Sequence, residues 1–329
     1  MRVKKVLFFG SIFLLTLCVG CQKKHNEKII DNASYTNFRE CEFSDTDDYY
    51  IYNVVGKPIY CENKKTHKCD EIYKDLYDKH TDENNMVVYG NNVYYMLDTD
   101  GTQCINKIGL DSGESECVYK TKSRLDTPRF LGKTLWRNIK NWDDYVDDRI
   151  NSFFIHDGKI ILIMGNRVVS VDNKKEKVLF YDEVDSLTYC NDIMYYINFE
   201  SEIYKYDFKN NKLGQIKGVF CNIIEALPEG YVYTDELKNC DIYYDNGSKN
   251  FICSGENLIS LTTHLDGYIY ILLNDKVLEY NCKEKKTKEL CKLNSEIADM
   301  DLSDLYVTKD KELYVKICDE EDKFMKIDY

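Results

Sequence analysis

One pattern of apolar and polar positions recurs along the chain. A pair of turn-forming residues is followed by a short run of apolar and aromatic residues, and this arrangement occurs seven times. Successive runs start about 33 to 45 residues apart, apart from one longer interval of about 67 residues. The pattern predicts repeated short strands rather than helices. The runs begin near Tyr49, Val93, Ile160, Ile193, Tyr231, Tyr268 and Leu313.

The segment Gly90–Lys120 shows the repeat most clearly. Its apolar runs and turn pairs predict three strands and two turns, namely Val93–Leu97, Ile105–Leu110 and Glu116–Tyr119, with turns at Asp100-Gly101 and Ser112-Gly113. A period of about 40 residues with four short strands is typical of one β-propeller blade. An array of separate hairpins is the alternative, but an isolated hairpin buries too little apolar surface to be stable.

The two ends of the repeat region predict how the ring closes. The last repeat stops at Tyr329, directly after the strand-like run Lys323–Ile327, so its outermost strand is missing. Phe38–Phe43 is a strand-like segment with no repeat of its own, and it can join the last blade so that no sheet edge stays open. We therefore predict an all-β fold. It is a single β-propeller of seven blades closed by the N-terminal strand, with six or eight blades as the alternatives.

The N-terminus predicts export. Arg2, Lys4 and Lys5 precede an apolar run of about twelve residues, which is short for a bilayer span and typical of a signal peptide. The following segment Leu17–Cys21 resembles a bacterial lipoprotein box, which implies that Cys21 is the lipidated (palmitate-bearing) residue. The alternatives are an ordinary cleaved signal or an uncleaved anchor.

These features divide the chain into three parts. We predict a lipoprotein signal peptide over 1–20, a lipidated cysteine with a polar tether over 21–36, and the propeller over 37–329. The expected location is the cell membrane, lipid-anchored and facing outside the cytoplasm, with the lipid as the only contact with the membrane.

The long interval corresponds to an insertion at about 122–149. It contains both tryptophans of the chain and four of its seven arginines. Because Trp and Arg dominate binding hot spots, Trp136, Arg137 and Trp142 are the candidate ligand-binding residues. The alternative is that both tryptophans pack the insertion onto its own blade, as large aromatic side chains are usually buried.

Several repeats resemble those of a known group of proteins. The residues that carry the resemblance are Val93-Tyr94-Tyr95, Asp100-Gly101-Thr102, Ile105-Asn106-Lys107-Ile108, Met194-Tyr195-Tyr196 and Ile203-Tyr204-Lys205-Tyr206-Asp207. They are similar to the repeats of bacterial cell-surface β-propellers, a group that includes TolB-like and low-density-lipoprotein-receptor-like propellers. The Tyr-Trp-Thr-Asp signature of the receptor repeats is absent, so the resemblance implies the fold and no particular ligand.

Composition adds information about partners. The formal net charge is −13, and it becomes more negative when the basic signal peptide is removed. This charge argues against binding to nucleic acid and against electrostatic adhesion to an anionic membrane. An envelope protein or a glycan is the expected partner.

The cysteines allow several disulfides. If Asn246-Gly247 forms a two-residue hairpin loop, Cys240 lies opposite Cys253 at bridging distance. Similar turns separate two further pairs, and one more pair lies in the two segments expected to share the closing blade; these candidates are Cys61 with Cys69, Cys282 with Cys291, and Cys41 with Cys318. The same reasoning rejects Cys104 with Cys117. The alternative for all of them is free, buried thiols.

Signs of catalysis are few. No two histidines have metal-ligand spacing, and no Cys-x-x-Cys motif occurs outside the lipoprotein box, so we expect no metal and no cofactor. Gly-x-Ser-x-Gly and phosphate-binding glycine loops are also absent, and no catalytic residue is assigned. The expected function is a non-enzymatic binding or scaffold module. The alternative is a propeller-type glycan hydrolase or lyase with carboxylates at the channel mouth, which a group of unpartnered inward-facing acids would favour.

Overall fold

The structure is a computed structural model that describes residues 43–53, 58–73, 86–99, 102–121, 149–293, 295–298, 300–318 and 323–329. Almost all regular structure in these ranges is β-strand. The exceptions are a 3-10 turn at Glu236–Lys238 and the helical turn α1 (Ser295–Ala298). No helix among these residues has the length and apolar character needed to cross a membrane.

The strands form seven antiparallel sheets arranged as a ring, which is a seven-bladed β-propeller. The first three blades are β1 (Phe43–Asp45), β2 (Tyr49–Asn53), β3 (Ile59–Asn63) and β4 (Cys69–Tyr73); β5 (Met86–Tyr89), β6 (Asn92–Thr99), β7 (Thr102–Gly109) and β8 (Ser115–Lys120); and β9 (Ile150–His156), β10 (Lys159–Met164), β11 (Arg167–Asp172) and β12 (Lys175–Phe180).

The remaining four blades follow the same order of strands. They are β13 (Val184–Cys190), β14 (Ile193–Asn198), β15 (Glu202–Asp207) and β16 (Lys212–Phe220); β17 (Ile224–Leu227), β18 (Gly230–Asp235), β19 (Asp241–Asp245) and β20 (Lys249–Cys253); β21 (Leu258–His264), β22 (Tyr268–Leu273), β23 (Lys276–Asn281) and β24 (Lys286–Lys292); and β25 (Leu302–Val307), β26 (Leu313–Ile317) and β27 (Lys323–Ile327). The prediction of an all-β propeller with seven blades is confirmed.

Each of the seven predicted apolar runs is the second strand of a blade. In the segment Gly90–Lys120, the three predicted strands correspond to β6, β7 and β8, and Ser112-Gly113 is a turn as predicted. The prediction missed the first strand of that blade, β5. The first strands of consecutive blades approach one another, as β13, β17, β21 and β25 do, so they are the innermost strands of the ring.

The core consists of layers between neighbouring blades. Phe153 and Phe154 are adjacent in β9 and are both fully buried. Side chains alternate across a strand, so Phe153 packs with Ile105 of the second blade while Phe154 packs with Tyr196 of the fourth. Because both faces of a blade are covered, its inner strands read as nearly continuous apolar runs instead of alternating ones. Truncation of either phenylalanine is expected to cost about 3–5 kcal/mol.

Aromatic contacts join the first and last blades. The ring of Phe43 lies 4.9 Å from that of Tyr314 and 5.4 Å from that of Phe324, and the Tyr50 hydroxyl donates to Glu312 at 2.7 Å. Phe43 itself pairs with Tyr52 in the first blade, although the prediction included it in the closing strand. The last blade has three described strands, and residues 38–42, expected to add the fourth, lie outside the described residues.

The hairpin at Asn246-Gly247 differs from the predicted one. Asp245 pairs with Lys249 instead of Ser248, because the loop has three residues and the Gly247 N–H donates to the Asp245 side chain at 2.8 Å. A second irregularity between Ile242 and Tyr243 shifts the strands again, and it places Cys253 opposite Ile242. The prediction that Cys240 faces Cys253 is therefore wrong, and both are free thiols in the structure.

The registers also separate the other predicted pairs. Cys61 lies opposite Asp70 while Cys69 lies opposite Glu62, so their side chains point to opposite faces of the blade. Cys291 lies opposite Val277, whereas Cys282 follows the end of β23. All four are free thiols, as is Cys318, whose expected partner Cys41 lies outside the described residues.

Cys104 and Cys117, which were excluded as a disulfide pair on the basis of the sequence, are closer to each other than the predicted register implies. An irregularity between Ile105 and Asn106 places Cys117 opposite Asn106 rather than Ile108. Burial and the neighbouring Cys117 thiol raise the pKa of Cys104.

One side chain holds both ends of the predicted insertion. The amide of Gln103 donates from Nε2 to the Ile150 carbonyl at 2.9 Å and accepts from the Ile150 N–H at 2.7 Å. The backbone of the same residue exchanges hydrogen bonds with Thr121, which ends the second blade. The Gln103 clamp therefore holds the end of the second blade, at Thr121, next to the start of the third blade, at Ile150.

Candidate functional site

The propeller presents two different ends. Strand direction alternates within each blade, so the turns after the first and third strands lie together at one end, called here the first-turn end. The turns after the second strands and the connections between blades lie at the other, called here the linker end. The first-turn end carries a histidine and carboxylates near the channel, and the linker end carries exposed apolar side chains.

His156 is the last residue of β9, at the first-turn end. It is 8% exposed, and its ring packs on that of Phe208 at a centroid distance of 4.2 Å. Its Nδ1 lies 2.6 Å from the hydroxyl of Tyr189, which belongs to the first strand of the next blade. These contacts from the fourth blade fix the imidazole and leave its Nε2 edge directed toward the turns.

Two carboxylates flank that edge. Asp157 and Gly158 form a two-residue hairpin loop with φ of 48° and 71°, a conformation that Asp-Gly favours, so Asp157 follows His156 directly at the surface. Asp192 lies in the corresponding turn of the fourth blade, where its carbonyl accepts from the Phe208 N–H at 2.9 Å. The His156 Nε2 is 3.8 Å from Asp157 Oδ2 and 4.0 Å from Asp192 Oδ1.

Burial controls the charge of His156. It lowers the pKa of the imidazole, and Lys159 acts in the same direction, while Asp157 and Asp192 partly oppose the shift. The ring is therefore neutral near pH 7, the form in which an imidazole nitrogen binds a metal ion. The three ligand atoms lie within 4.8 Å of one another. Together these three residues form the His156 junction, between the third and fourth blades.

This cluster was not predicted from the sequence. Asp192 is far from His156 in sequence, and only the packing of the fourth blade against the third brings its turn alongside. The one available signal was a shared position, because Asp157-Gly158 and Asn191-Asp192 are both turn pairs that precede a second strand.

A related arrangement occurs between the sixth and seventh blades. His264 ends β21 and is 3% exposed; its Nδ1 accepts from the Asp266 N–H and its Nε2 donates to the Lys309 carbonyl, each at 3.2 Å. Lys311 forms an ion pair with Asp266 at 3.1 Å. These four residues form the His264 junction, in which backbone groups occupy both ring nitrogens and lysine balances the carboxylate.

The linker end has a different chemistry. Large apolar side chains are exposed there on three consecutive blades, the third to the fifth; they are Tyr181, Phe199, Phe220 and Leu237, with exposed fractions of 64%, 66%, 38% and 70%. Carboxylates of Asp182, Glu183 and Glu200 lie next to them in the chain. We call these four apolar residues the linker-end patch.

The predicted ligand-binding residues Trp136, Arg137 and Trp142 lie outside the described residues, as does the predicted lipidation site Cys21. The flanking residues Thr121 and Ile150 nevertheless place both ends of the insertion at the linker end, since they end the second blade and begin the third.

One inward acid bears on the alternative hypothesis of an enzyme. Glu225 of the first strand β17 is buried, and its carboxylate accepts from the Thr188 hydroxyl at 3.2 Å. The Thr188 oxygen in turn accepts from the Ala226 N–H at 3.0 Å, so this acid joins neighbouring blades. Glu225 is therefore not one of the unpartnered acids that the enzyme hypothesis requires.

Comparisons with known proteins identify the fold and no family. No family model matches the chain. No curated protein matches it either.

Solved structures match over most of its length at low identity. The WD40 β-propeller domain of Doa1 matches at 11% identity with a TM-score of 0.56, covering 89% of this chain and 95% of that domain. An oligogalacturonate lyase from Vibrio parahaemolyticus matches at 10% identity with a TM-score of 0.54, covering 87% of this chain and 86% of the lyase. YCF48, in a complex with the D1 peptide, matches at 6% identity with a TM-score of 0.57, covering 86% of this chain and 91% of YCF48.

Proposed function

We propose that this protein is an exported, lipid-anchored binding or scaffold module of the cell envelope, and that the linker end of its propeller holds a partner protein. The signal-like N-terminus and the lipoprotein box at Cys21 support the anchor. The position of the linker-end patch supports the binding surface.

The linker-end patch is the observation that carries the proposal. Four large apolar side chains on three adjacent blades are costly to expose to water, and exposed apolar side chains that lie at the same end of a protein often mark an interaction site. A rigid ring presents them in a fixed arrangement, so little conformational entropy is lost on binding. The neighbouring carboxylates favour a partner that combines apolar anchors with basic residues at the edge.

The insertion enlarges the same surface. Both of its ends lie at the linker end, next to the blade that carries Tyr181, so Trp136, Arg137 and Trp142 are proposed as additional contacts. One structural neighbour is described in a complex with a peptide, which agrees with peptide or protein binding by analogy of fold alone.

A glycan hydrolase or lyase is the second candidate. It is favoured by the histidine and two carboxylates of the His156 junction near the channel, and one structural neighbour is a lyase of oligogalacturonate. This candidate predicts that the full chain cleaves an acidic polysaccharide and that Asp157→Asn/Asp192→Asn abolishes the cleavage. Binding of an uncleaved glycan at the linker end would support a glycan as the partner instead of a protein.

Crosslinking in intact cells tests the proposal. Phe199→Ser/Leu237→Ser should reduce the yield of specific crosslinked partners at least about tenfold, because hot-spot residues typically contribute 2 kcal/mol or more each. Phe251→Ser is the matched control, since Phe251 is 58% exposed but lies on the outer strand β20. Equal crosslinking by all three proteins would exclude the linker-end patch as the binding surface.

The anchor has its own test. Cys21→Ser should move the protein from the membrane fraction to the soluble fraction, and metabolic labelling with a fatty acid should disappear. Retention in the membrane with no change in labelling would contradict the proposed lipidation.

A further inference from the structure

The His156 junction has a donor set that the proposed binding function does not use. We infer that it is a binding site for a divalent transition-metal ion, with Zn²⁺ as the best fit, ligated by His156 Nε2 and one oxygen each of Asp157 and Asp192. This site goes beyond the proposed function and does not depend on it, because the junction lies at the opposite end of the ring from the linker-end patch.

The chemistry of the donors selects the class of ion. One imidazole nitrogen with two carboxylates suits borderline metals such as zinc, whereas Ca²⁺ and Mg²⁺ prefer sites made only of oxygen ligands. Three protein ligands also leave the fourth tetrahedral position open to water or to a group from a ligand.

The geometry allows the ligands to close on an ion. With metal–ligand distances of about 2.0–2.2 Å, neighbouring donors of a tetrahedral site lie roughly 3.3–3.6 Å apart. The observed separations of 3.8 and 4.0 Å from Nε2 are slightly wider. The side chains of Asp157 and Asp192 are 80% and 52% exposed, so they can rotate inward, while the imidazole stays fixed.

The surroundings of His156 support a ligand role independently of the acids. His156 is 8% exposed, and its Nε2 lies 3.8 and 4.0 Å from the two carboxylates without a hydrogen bond to any described residue. The Tyr189 hydroxyl oxygen can accept a hydrogen bond from Nδ1–H, which keeps the proton on Nδ1 and leaves the Nε2 lone pair available, as hydrogen-bond partners of metal-binding histidines do.

The local charge also favours a cation. Among the residues that the structure describes, no lysine or arginine forms an ion pair with Asp157 or Asp192. Two carboxylates and an imidazole nitrogen place three acceptor atoms within 4.8 Å of one another, and a bound cation would reduce the repulsion between the carboxylates. At the His264 junction the corresponding ring nitrogens are occupied, so the same repeat position is not a metal site there.

Calorimetric titration of the metal-depleted full chain in detergent with ZnCl₂ tests the inference. The wild type should bind one Zn²⁺ at this site, and Asp157→Asn/Asp192→Asn should bind it with at least about tenfold lower affinity. Asp266→Asn is the matched control, because it removes a carboxylate from the equivalent turn of the sixth blade and should leave this binding unchanged. All three proteins keep the same cysteines, so zinc bound by thiols cancels in the comparison.

Two further measurements make the test decisive. Tyr189→Phe should weaken Zn²⁺ binding by about tenfold through the loss of the Nδ1 contact. Substitution with Co²⁺ should give visible absorption bands of a tetrahedral site in the wild type and in Asp266→Asn, and no such bands in Asp157→Asn/Asp192→Asn. Equal Zn²⁺ affinity in wild type and the double variant, or tighter binding of Ca²⁺ than of Zn²⁺, would overturn the inference.

Discussion

The His156 and His264 junctions occupy the same position in the repeat but differ in their neighbours. In both, a histidine ends the first strand of a blade and an aspartate follows in the turn. Backbone groups satisfy both nitrogens of His264, and Lys311 pairs with Asp266. His156 instead has one hydrogen bond, to Tyr189, and its other nitrogen faces two carboxylates. The comparison shows that the repeat positions the side chains, whereas the adjacent blade determines what they can do.

The largest predicted difference between the junctions is in stability without metal. His264→Ala removes the partners of the Lys309 carbonyl and the Asp266 N–H and leaves a cavity, so we expect a loss of about 2–4 kcal/mol. His156→Ala should cost about 1–2 kcal/mol, since only the Tyr189 bond and the ring contacts are lost. Urea denaturation of the two variants measures this difference. A larger loss for His156→Ala would contradict the description of His264 as the more fully bonded residue.

The second predicted difference concerns pH. Burial lowers the pKa of His264, although the Lys309 carbonyl and Asp266 partly oppose the shift. The unfolded chain, in which histidine titrates near 6.5, therefore binds more protons than the folded protein on acidification, and stability falls as the pH drops below about 6.5.

His264→Gln should reduce that dependence by up to about 1.4 kcal/mol per pH unit, and denaturation at pH 7.5 and 5.5 measures it. His67→Gln is the control, because His67 is exposed. An unchanged pH dependence in His264→Gln would show that the buried ring does not resist protonation.

The smallest predicted difference is in the direction in which removing a charge changes the stability of each junction. Lys311→Ala should destabilise by about 0.5 kcal/mol, since it removes an exposed ion pair and a contact with the Tyr268 ring. Asp192→Asn should stabilise the metal-free protein by a similar amount, because it relieves repulsion from Asp157. Thermal unfolding with a chelator present compares the two, and a destabilising Asp192→Asn would argue against the proposed excess of negative charge.

The sequence predicted the second strands well, and the reason is physical. Apolar runs such as Ile160–Met164 follow turns that contain Asp-Gly or Asn, and such residues are strong local indicators of a hairpin turn. The first strands, such as β9, were missed because both of their faces are buried and their apolar residues do not alternate. The register at Asn246-Gly247 was wrong because side-chain capping by Asp245 and an irregular strand pair depend on contacts that a loop rule does not include.

The candidate sites were less predictable than the fold. The His156 junction requires the curvature of the ring to bring Asp192 beside His156, and no local spacing encodes that curvature. The linker-end patch was missed for a related reason, since Tyr181, Phe199 and Leu237 look like ordinary strand-end residues until their exposure at one end is known.

The Gln103 clamp holds the two chain positions that flank the predicted insertion, Thr121 and Ile150, next to each other. One side chain fixes where that segment leaves and re-enters, so its length and composition can change without altering the closure of the ring. The entropic cost of a longer loop grows only with the logarithm of its length, about 0.6 kcal/mol for each doubling. A change in the length of the segment at this position is therefore expected to leave the remaining blades unchanged.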